Sequence, residues 1–303
     1  MSDAGASDRW TTEESWSHGT VRASDVDLHY VVAGPTDGDL VLLLHGFPEF
    51  WYSWREQIPA LAGAGYRVVA PDLRGYNRSE KPAGVSSYDL DELVADVVGL
   101  IRSFGHESAR VVGHDWGGVI AWQVATDRPD VVDRLVVLNA PHLSAYEREL
   151  RSSLSQIRRS SYAFFFQIPW LPEWSLRRDD FAALEKLFRD QPVRQEAFTD
   201  ADIERYKRAF SRPGAMTAAI DYYRALFRRN AWQTLTQGGM GDQRVEVPTL
   251  LLWGLQDQAL SPSLSEGLER WVPDLRVERY PGASHWLQVD APERVNGELL
   301  AFL

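Results

Sequence analysis

The stretch ARVVGHDWGGVIAWQVATD, residues 109–127, passes from an apolar, β-branched run into a helical pattern through Gly113-His114-Asp115-Trp116-Gly117-Gly118. A strand that turns at once into a helix brings its two backbones so close that side chains beside the turn would collide, so small residues are required there. This is the G-x-Nuc-x-G nucleophile elbow, with aspartate at the tip where esterases and lipases carry serine. Asp is also a common helix N-cap, and the turn alone leaves that plainer use open. Either way, a buried strand followed without delay by a helix is the repeating unit of a parallel sheet.

The same rhythm extends outward on both sides. VDLHYVVA (26–33), LVLLLHG (40–46) and YRVVAPD (66–72) read as strands, with a helical stretch from Ser53 to Leu61 between the last two. Leu90, Leu93, Val94, Val97, Leu100, Ile101 and Phe104 recur at the spacing of an amphipathic helix. Beyond the elbow come a helix from Gly117 to Thr126, the strand RLVVLNA (134–140), the strand TLLLWG (249–254), a helix near 263–271, the strand LRVERY (275–280) and a last helix from Pro292. Alternating strands and helices predict an α/β fold with a mostly parallel, doubly wound sheet covered on both faces.

Two regions depart from that rhythm. The first 20 or so residues are polar and aperiodic, with Trp10 and Trp16 as the large anchors, which predicts a frayed N-terminal extension over 1–20 that pairs late with the sheet edge, order starting near Val26. Between Pro141 and Val247 the pattern turns helical and rich in Arg and aromatics, with no buried strand (IRRSSYAFFFQ, FAALEKLF, IERYKRAF, AAIDYYRALF). We read 141–246 as a helical cap inserted after the sixth core strand, over the carboxyl ends of the strands where open α/β sheets bind ligands. Residues 21–140 and 247–303 then form the core, and QGGMGDQ (237–243) is a flexible return.

Composition narrows the chemistry. The chain has 303 residues, is 44% hydrophobic and 25% charged, and has no apolar run near the roughly 18 residues of a membrane span. MSDAGASDRWTTEESW lacks the basic start and apolar centre of a signal peptide, so a soluble, cytoplasmic protein is expected. With no cysteine, disulfides, thiolate metal sites and a cysteine nucleophile are excluded. The net charge of −11 disfavours nucleic acid and anionic membrane as partners and suits a small, uncharged molecule. Only Lys81, Lys186 and Lys207 are lysines, a bias that salt adaptation and codon usage explain equally well.

Two further residues join Asp115 in the chain order nucleophile, acid, histidine that this kind of elbow uses. Asp257 follows the strand TLLLWG, and His285, in GASHW, follows LRVERY. Singly, one reads as a cap for a helix near Ser261 and the other as an ordinary loop histidine; three hits at three strand ends make coincidence improbable. His45-Gly46-Phe47-Pro48 follows the second strong strand, so the backbone N–H groups of Phe47 and Trp116 are the expected oxyanion donors. His45 and His114 read as loop support, and His18, His29, His106 and His142 as surface or packing residues. Nothing requires a cofactor, and no histidines pair at metal-binding spacing. Monomer and homodimer both remain open.

An aspartate nucleophile selects the reaction. A carboxylate is ionised at neutral pH and needs no base, but its attack on an ester or amide would give a less stable anhydride. It suits displacement at a saturated carbon, giving an alkyl ester that His285, supported by Asp257, hydrolyses by activating water. A halide leaves as an anion and wants N–H donors; an epoxide oxygen must be protonated and wants a neutral acid such as tyrosine. The cap offers Tyr162 and the pair Tyr222-Tyr223. Phe47, Trp51, Trp116, Phe166 and Trp286 are candidate walls of an apolar pocket.

HGFPEFWYSWR (45–55), DLRGYNRSEKP (72–82), GHDWGG (113–118), SSYAFFFQIPW (160–170), DYYR (221–224) and GASHWLQ (282–288) together resemble the α/β-hydrolase epoxide hydrolases from about residue 20 onward. The resemblance implies Asp115 as nucleophile, His285 as base, Asp257 as its carboxylate partner, and two cap tyrosines as ring-opening acids. Those are Tyr162, five residues before Gln167, and Tyr223, the residue preceding the arginine. Ala163 departs from relatives that carry a polar or aromatic residue there. The implied substrates are a small apolar epoxide and water. Hydrolytic dehalogenases share the aspartate, and haloalkane-acting members the Asp-Trp pair, but those usually carry Asn at the position of Phe47. A non-catalytic ligand-binding scaffold would be expected to have a broken triad.

Overall fold

The computed structural model describes residues 15–237 and 243–303; Trp10 and Gly238–Asp242, for which expectations were stated, lie outside them. Eight strands form one sheet: β1 (Ser17–Arg22), β2 (Asp27–Ala33), β3 (Leu40–Leu44), β4 (Arg67–Pro71), β5 (Ala109–His114), β6 (Val132–Leu138), β7 (Thr249–Gly254) and β8 (Leu275–Tyr280). Their spatial order is β1-β2-β4-β3-β5-β6-β7-β8. β1 and β2 pair antiparallel with each other, and β2 with β4, while every later pairing is parallel. β3 is LVLLL and β7 TLLLWG, buried at every position, as strands covered on both faces require.

Helices α1 (Gln57–Gly63), α2 (Leu90–Ser103) and α3 (Trp116–Asp127) link the early strands. Between β6 and β7 lie α4 (Leu143–Ser152), α5 (Leu154–Arg159), α6 (Ser161–Phe165), α7 (Leu171–Asp190), α8 (Asp200–Phe210) and α9 (Ala215–Gln237), and after β8 come α10 (Leu287–Asp290) and α11 (Pro292–Phe302). α2 buries Leu93, Val97, Leu100 and Ile101, the stripe its spacing predicts. α7 is interrupted at Arg178–Phe181, where the backbone leaves helical geometry. α8 begins at a capping box in which the Thr199 hydroxyl accepts from Asp202 N and the Asp202 carboxylate accepts from Thr199 N.

Three expectations need correction. Order does not wait until Val26: β1 pairs residue for residue with β2, Ser17 opposite Val32 through Arg22 opposite Asp27, and Trp16 is buried edge-on against Trp51. A polar edge strand shows no alternation strong enough to be seen in sequence, because its stability comes from the ladder. The stretch Ser53–Leu61 is two elements, a 3-10 turn over Trp51–Trp54 and α1. No α-helix forms near 263–271, only a 3-10 turn over Pro262–Ser265; Gly267 takes a left-handed φ of 63° and Pro273 closes the segment.

Because the central strands are parallel and in register, their carboxyl ends fall on one edge. Leu44 lies opposite Gly113, His114 opposite Leu138, Leu138 opposite Leu252, and Gly254 opposite Tyr280. The loops that follow β3, β5, β6, β7 and β8 therefore converge.

Candidate active site

The tip of the β5–α3 turn is Asp115, held at φ 50°, ψ −119°. Such a conformation is strained for a residue with a Cβ and persists where its surroundings enforce it. The glycines explain how. A Cβ on Gly113 would meet the Gly117 carbonyl, and one on Gly117 the Leu44 and His45 carbonyls. The Asp115 side chain makes no helix-capping hydrogen bond, so the N-cap use is not what holds it.

Its two oxygens have different partners. Oδ1 accepts from Phe47 N at 2.7 Å, and Oδ2 faces His285 Nε2 at 3.6 Å. Phe47 N is the single backbone donor recorded for this carboxylate among the described residues; the Trp116 N–H opens α3 and, like the other first-turn groups of a helix, has no intrahelical acceptor. A Cβ on Gly46 would strike the Asp115 side chain, so that loop can approach only as glycine.

His285 Nδ1 pairs with Asp257 Oδ2 at 2.7 Å. Oδ2 also accepts from Asn139 Nδ2 at 2.8 Å, while Oδ1 takes Ala259 N and Leu260 N, both at 2.8 Å. Asp257 thus holds its own loop and the imidazole together. Asn139, at left-handed φ 39° after β6, was not singled out from sequence; an Asn where a strand end turns is the signal that marks it. Glu49 was also missed. It is fully buried, pairs with His114 Nδ1 at 2.8 Å, and His114 Nε2 donates to the His285 carbonyl at 2.9 Å, bracing the loop that carries His285. His45 Nε2 accepts from Leu73 N at 3.0 Å, a loop-supporting contact.

Charge is shared across this group. Burial pushes the Asp115 and Asp257 carboxyls up, but the hydrogen bonds and charge of His285 outweigh it and hold both below the ordinary carboxylate range. Burial pushes His285 down, and the two carboxylates reverse this and raise it well above the usual imidazole value. Each carboxylate thus favours the protonated imidazole, and the imidazole in turn favours the ionised carboxylates.

Two cavities meet at Asp115. One, about 510 Å³, runs past Trp116, Val119 and Leu143 toward Phe164 and Phe227. The other, about 330 Å³, runs past Phe47, Phe166, Leu184 and Trp286. Asp115, Tyr162 and Tyr223 line both. The Tyr162 and Tyr223 rings meet edge-on with centroids 5.7 Å apart, and the Trp116 ring packs edge-on against Tyr223 at 4.9 Å. Burial raises both phenols well above 10, so they are neutral at working pH. Tyr222 points elsewhere, its hydroxyl donating to the buried Arg74 carbonyl at 2.7 Å. Arg224 fastens α9 to the turn after α6 through the Phe166 and Ile168 carbonyls.

Of the pocket residues expected from sequence, Phe47, Trp116, Phe166 and Trp286 line these cavities. Trp51 does not; its ring is taken up by Trp16, His18, Phe50 and Tyr52. That is a correction with a simple cause, since an aromatic in a loop beside a site can as well pack the opposite way, here against the β1 edge. Among the described residues, no cluster of three or more His, Asp or Glu is disposed to hold a metal, and no helix is long and apolar enough to cross a membrane.

Residues 39–292 match the alpha/beta hydrolase fold family. The chain is 42% identical to the AB hydrolase superfamily protein YfhM of Bacillus subtilis, over 93% of this chain and 96% of that one. It is 42% identical to epoxide hydrolase 4 of Mus musculus, over 95% of this chain and 79% of that one. The crystal structure of a Bacillus megaterium epoxide hydrolase in complex with an inhibitor superposes with a TM-score of 0.85 at 34% identity, covering 94% of this chain and 99% of that one. The chain belongs to the α/β-hydrolase fold family and, within it, to the epoxide hydrolases.

Proposed function

We propose that this member of the epoxide hydrolases converts an epoxide and water to a vicinal diol through an ester on Asp115. Oδ2 attacks a ring carbon, forming the C–O bond as the ring C–O bond breaks. The departing oxygen takes a proton from the Tyr162–Tyr223 pair, which surrenders one and becomes a phenolate. Once Asp115 is esterified, its negative charge no longer supports His285 as a cation. The imidazolium proton can then return to the phenolate, leaving His285 neutral and able to act as a base.

Neutral His285, oriented by Asp257, takes a proton from water as the oxygen attacks the Asp115 carbonyl carbon. The negative charge that develops falls on Oδ1, where the Phe47 N–H already lies within 2.7 Å. Such donors typically contribute about 3–4 kcal/mol to the transition state. Collapse releases the diol, and the carboxylate and imidazolium are restored. Protons balance over the cycle.

The observation that carries this reading is the adjacent pair of neutral tyrosines lining the same cavity as an aspartate that has a histidine on one oxygen and a backbone N–H on the other. A halide would need no such acid. The test is His285→Gln exposed to styrene oxide and followed by intact mass. One equivalent of covalent adduct is expected, with Asp115→Ala giving none. A His285→Gln protein that neither turns over nor gains mass would sink the two-step route, and halide release from bromoalkanes without diol from any epoxide would favour dehalogenation.

A further inference from the structure

We infer that the preferred substrate is an uncharged epoxide with a substituent on each ring carbon, one in each cavity; this rests on the epoxide-opening reading above. The two cavities share Asp115, Tyr162 and Tyr223, so an epoxide set between nucleophile and acid has open volume on both sides. The wider one ends between the exposed Phe164 and Phe227, and the narrower one reaches the exposed Ala183. A terminal epoxide, with hydrogens alone on one carbon, would leave one arm empty and its apolar wall wetted. Volumes of about 510 and 330 Å³ are those of sites for drug-sized molecules, so each arm has room for a sizeable substituent.

Charge selection follows from the same walls. Among the described residues no Lys or Arg lines either arm, although residues 141–246 are rich in Arg. Nearby guanidiniums are committed elsewhere: Arg159 donates to the Asp257 carbonyl, and Arg224 to two carbonyls, Glu173 and Asp221. The polar lining of the wide arm includes the neutral Ser160, Gln167 and Asn230, and that of the narrow arm Gln191 and His285, whose imidazole is already held between Asp115 and Asp257. A carboxylate on a substituent would be stripped of water, with His285 already committed to Asp257 and Asp115, and set near the Asp115 anion.

Three epoxides test this on the full chain: methyl trans-4,5-epoxydecanoate, its free carboxylate, and 1,2-epoxydecane. Diol formation is expected with kcat/KM about 100-fold higher for the ester than for the carboxylate and about 10-fold higher than for the terminal epoxide, each tenfold being about 1.4 kcal/mol. Asn230→Arg, which adds a cation to the wide arm, should narrow the ester-to-carboxylate ratio about tenfold. Ala183→Trp, which fills the narrow arm, should cut the ratio of ester to 1,2-epoxydecane about tenfold, with the remaining terminal-epoxide turnover reporting a folded enzyme. Equal kcat/KM for ester and carboxylate, or ratios that neither variant moves, would overturn the inference while leaving epoxide hydrolysis intact. Failure to form diol from all three would instead overturn the reading on which it rests.

Discussion

The core presents Asp115, Asp257 and His285 from the ends of parallel strands, whereas the cap presents Tyr162 from the five-residue helix α6 and Tyr223 from within the 23-residue helix α9. Backbone geometry holds the core groups. A strained φ, glycines that admit no Cβ, and carboxylates bonded to main-chain N–H groups leave each of them one position. Packing holds the cap groups, through rings at 4.9–5.7 Å around Tyr223 and the Arg224 anchor. The two regions also differ in charge: residues 141–246 carry 17 basic and 14 acidic residues, the remainder 15 and 29. The acidity of the chain thus resides outside residues 141–246, an interval that is nearly neutral.

If this contrast holds, core substitutions remove a chemical step and cap substitutions weaken one. Asp115→Ala should lower diol formation by about 10⁴-fold or more in steady-state assays, because nothing else can form the ester. Asp257→Asn should slow turnover by about 10³–10⁴-fold and make the ester accumulate in rapid-quench mass spectra, since the imidazole loses both its orienting partner and its charge support. Tyr162→Phe and Tyr223→Phe should each slow ring opening by about 10²-fold, with the double variant slower still. A single cap variant as damaging as Asp115→Ala would break the contrast.

Tyr222→Phe sharpens it further. It should leave kcat/KM within about threefold yet cost about 1–3 kcal/mol in denaturant unfolding, because the buried Arg74 carbonyl loses its donor. Equal kinetic effects at Tyr222 and Tyr223 would mean that α9 presents the other face.

The smallest effect concerns pH. Asp115 and Asp257 are held below the usual 3.8, so the stability they contribute is complete above that value and lost as pH falls through their lowered values. His285 is held well above 6.5, so its contribution is complete below 6.5 and lost as pH rises through the raised value. Thermal midpoints should therefore decline on the alkaline side, and Asp257→Ala should blunt that decline. A variant with an unaltered alkaline limb would remove Asp257 as the source of His285's raised value.

Much of this was legible in the sequence because it depends on local constraints. The elbow glycines, the apolar strands β3, β5 and β7, and the α2 stripe state their own geometry, and Asp257 and His285 sit where strands end. The edge strand β1, the turn over Pro262–Ser265, the inward role of Glu49 and the outward packing of Trp51 were not legible, since each depends on a partner distant in the chain.

By itself, the sequence determined an α/β sheet with a helical interval after β6, a carboxylate at a sharp turn, and the order of the groups behind it. Only the tertiary structure decided which tyrosine of the adjacent pair meets the cavity, how Asp257 divides its oxygens between loop and imidazole, and that two cavities open from Asp115. Turn and strand propensities act over a few residues and can be read along the chain. The direction of a side chain on a buried helix and the space left between packed elements are set by contacts between residues far apart in sequence.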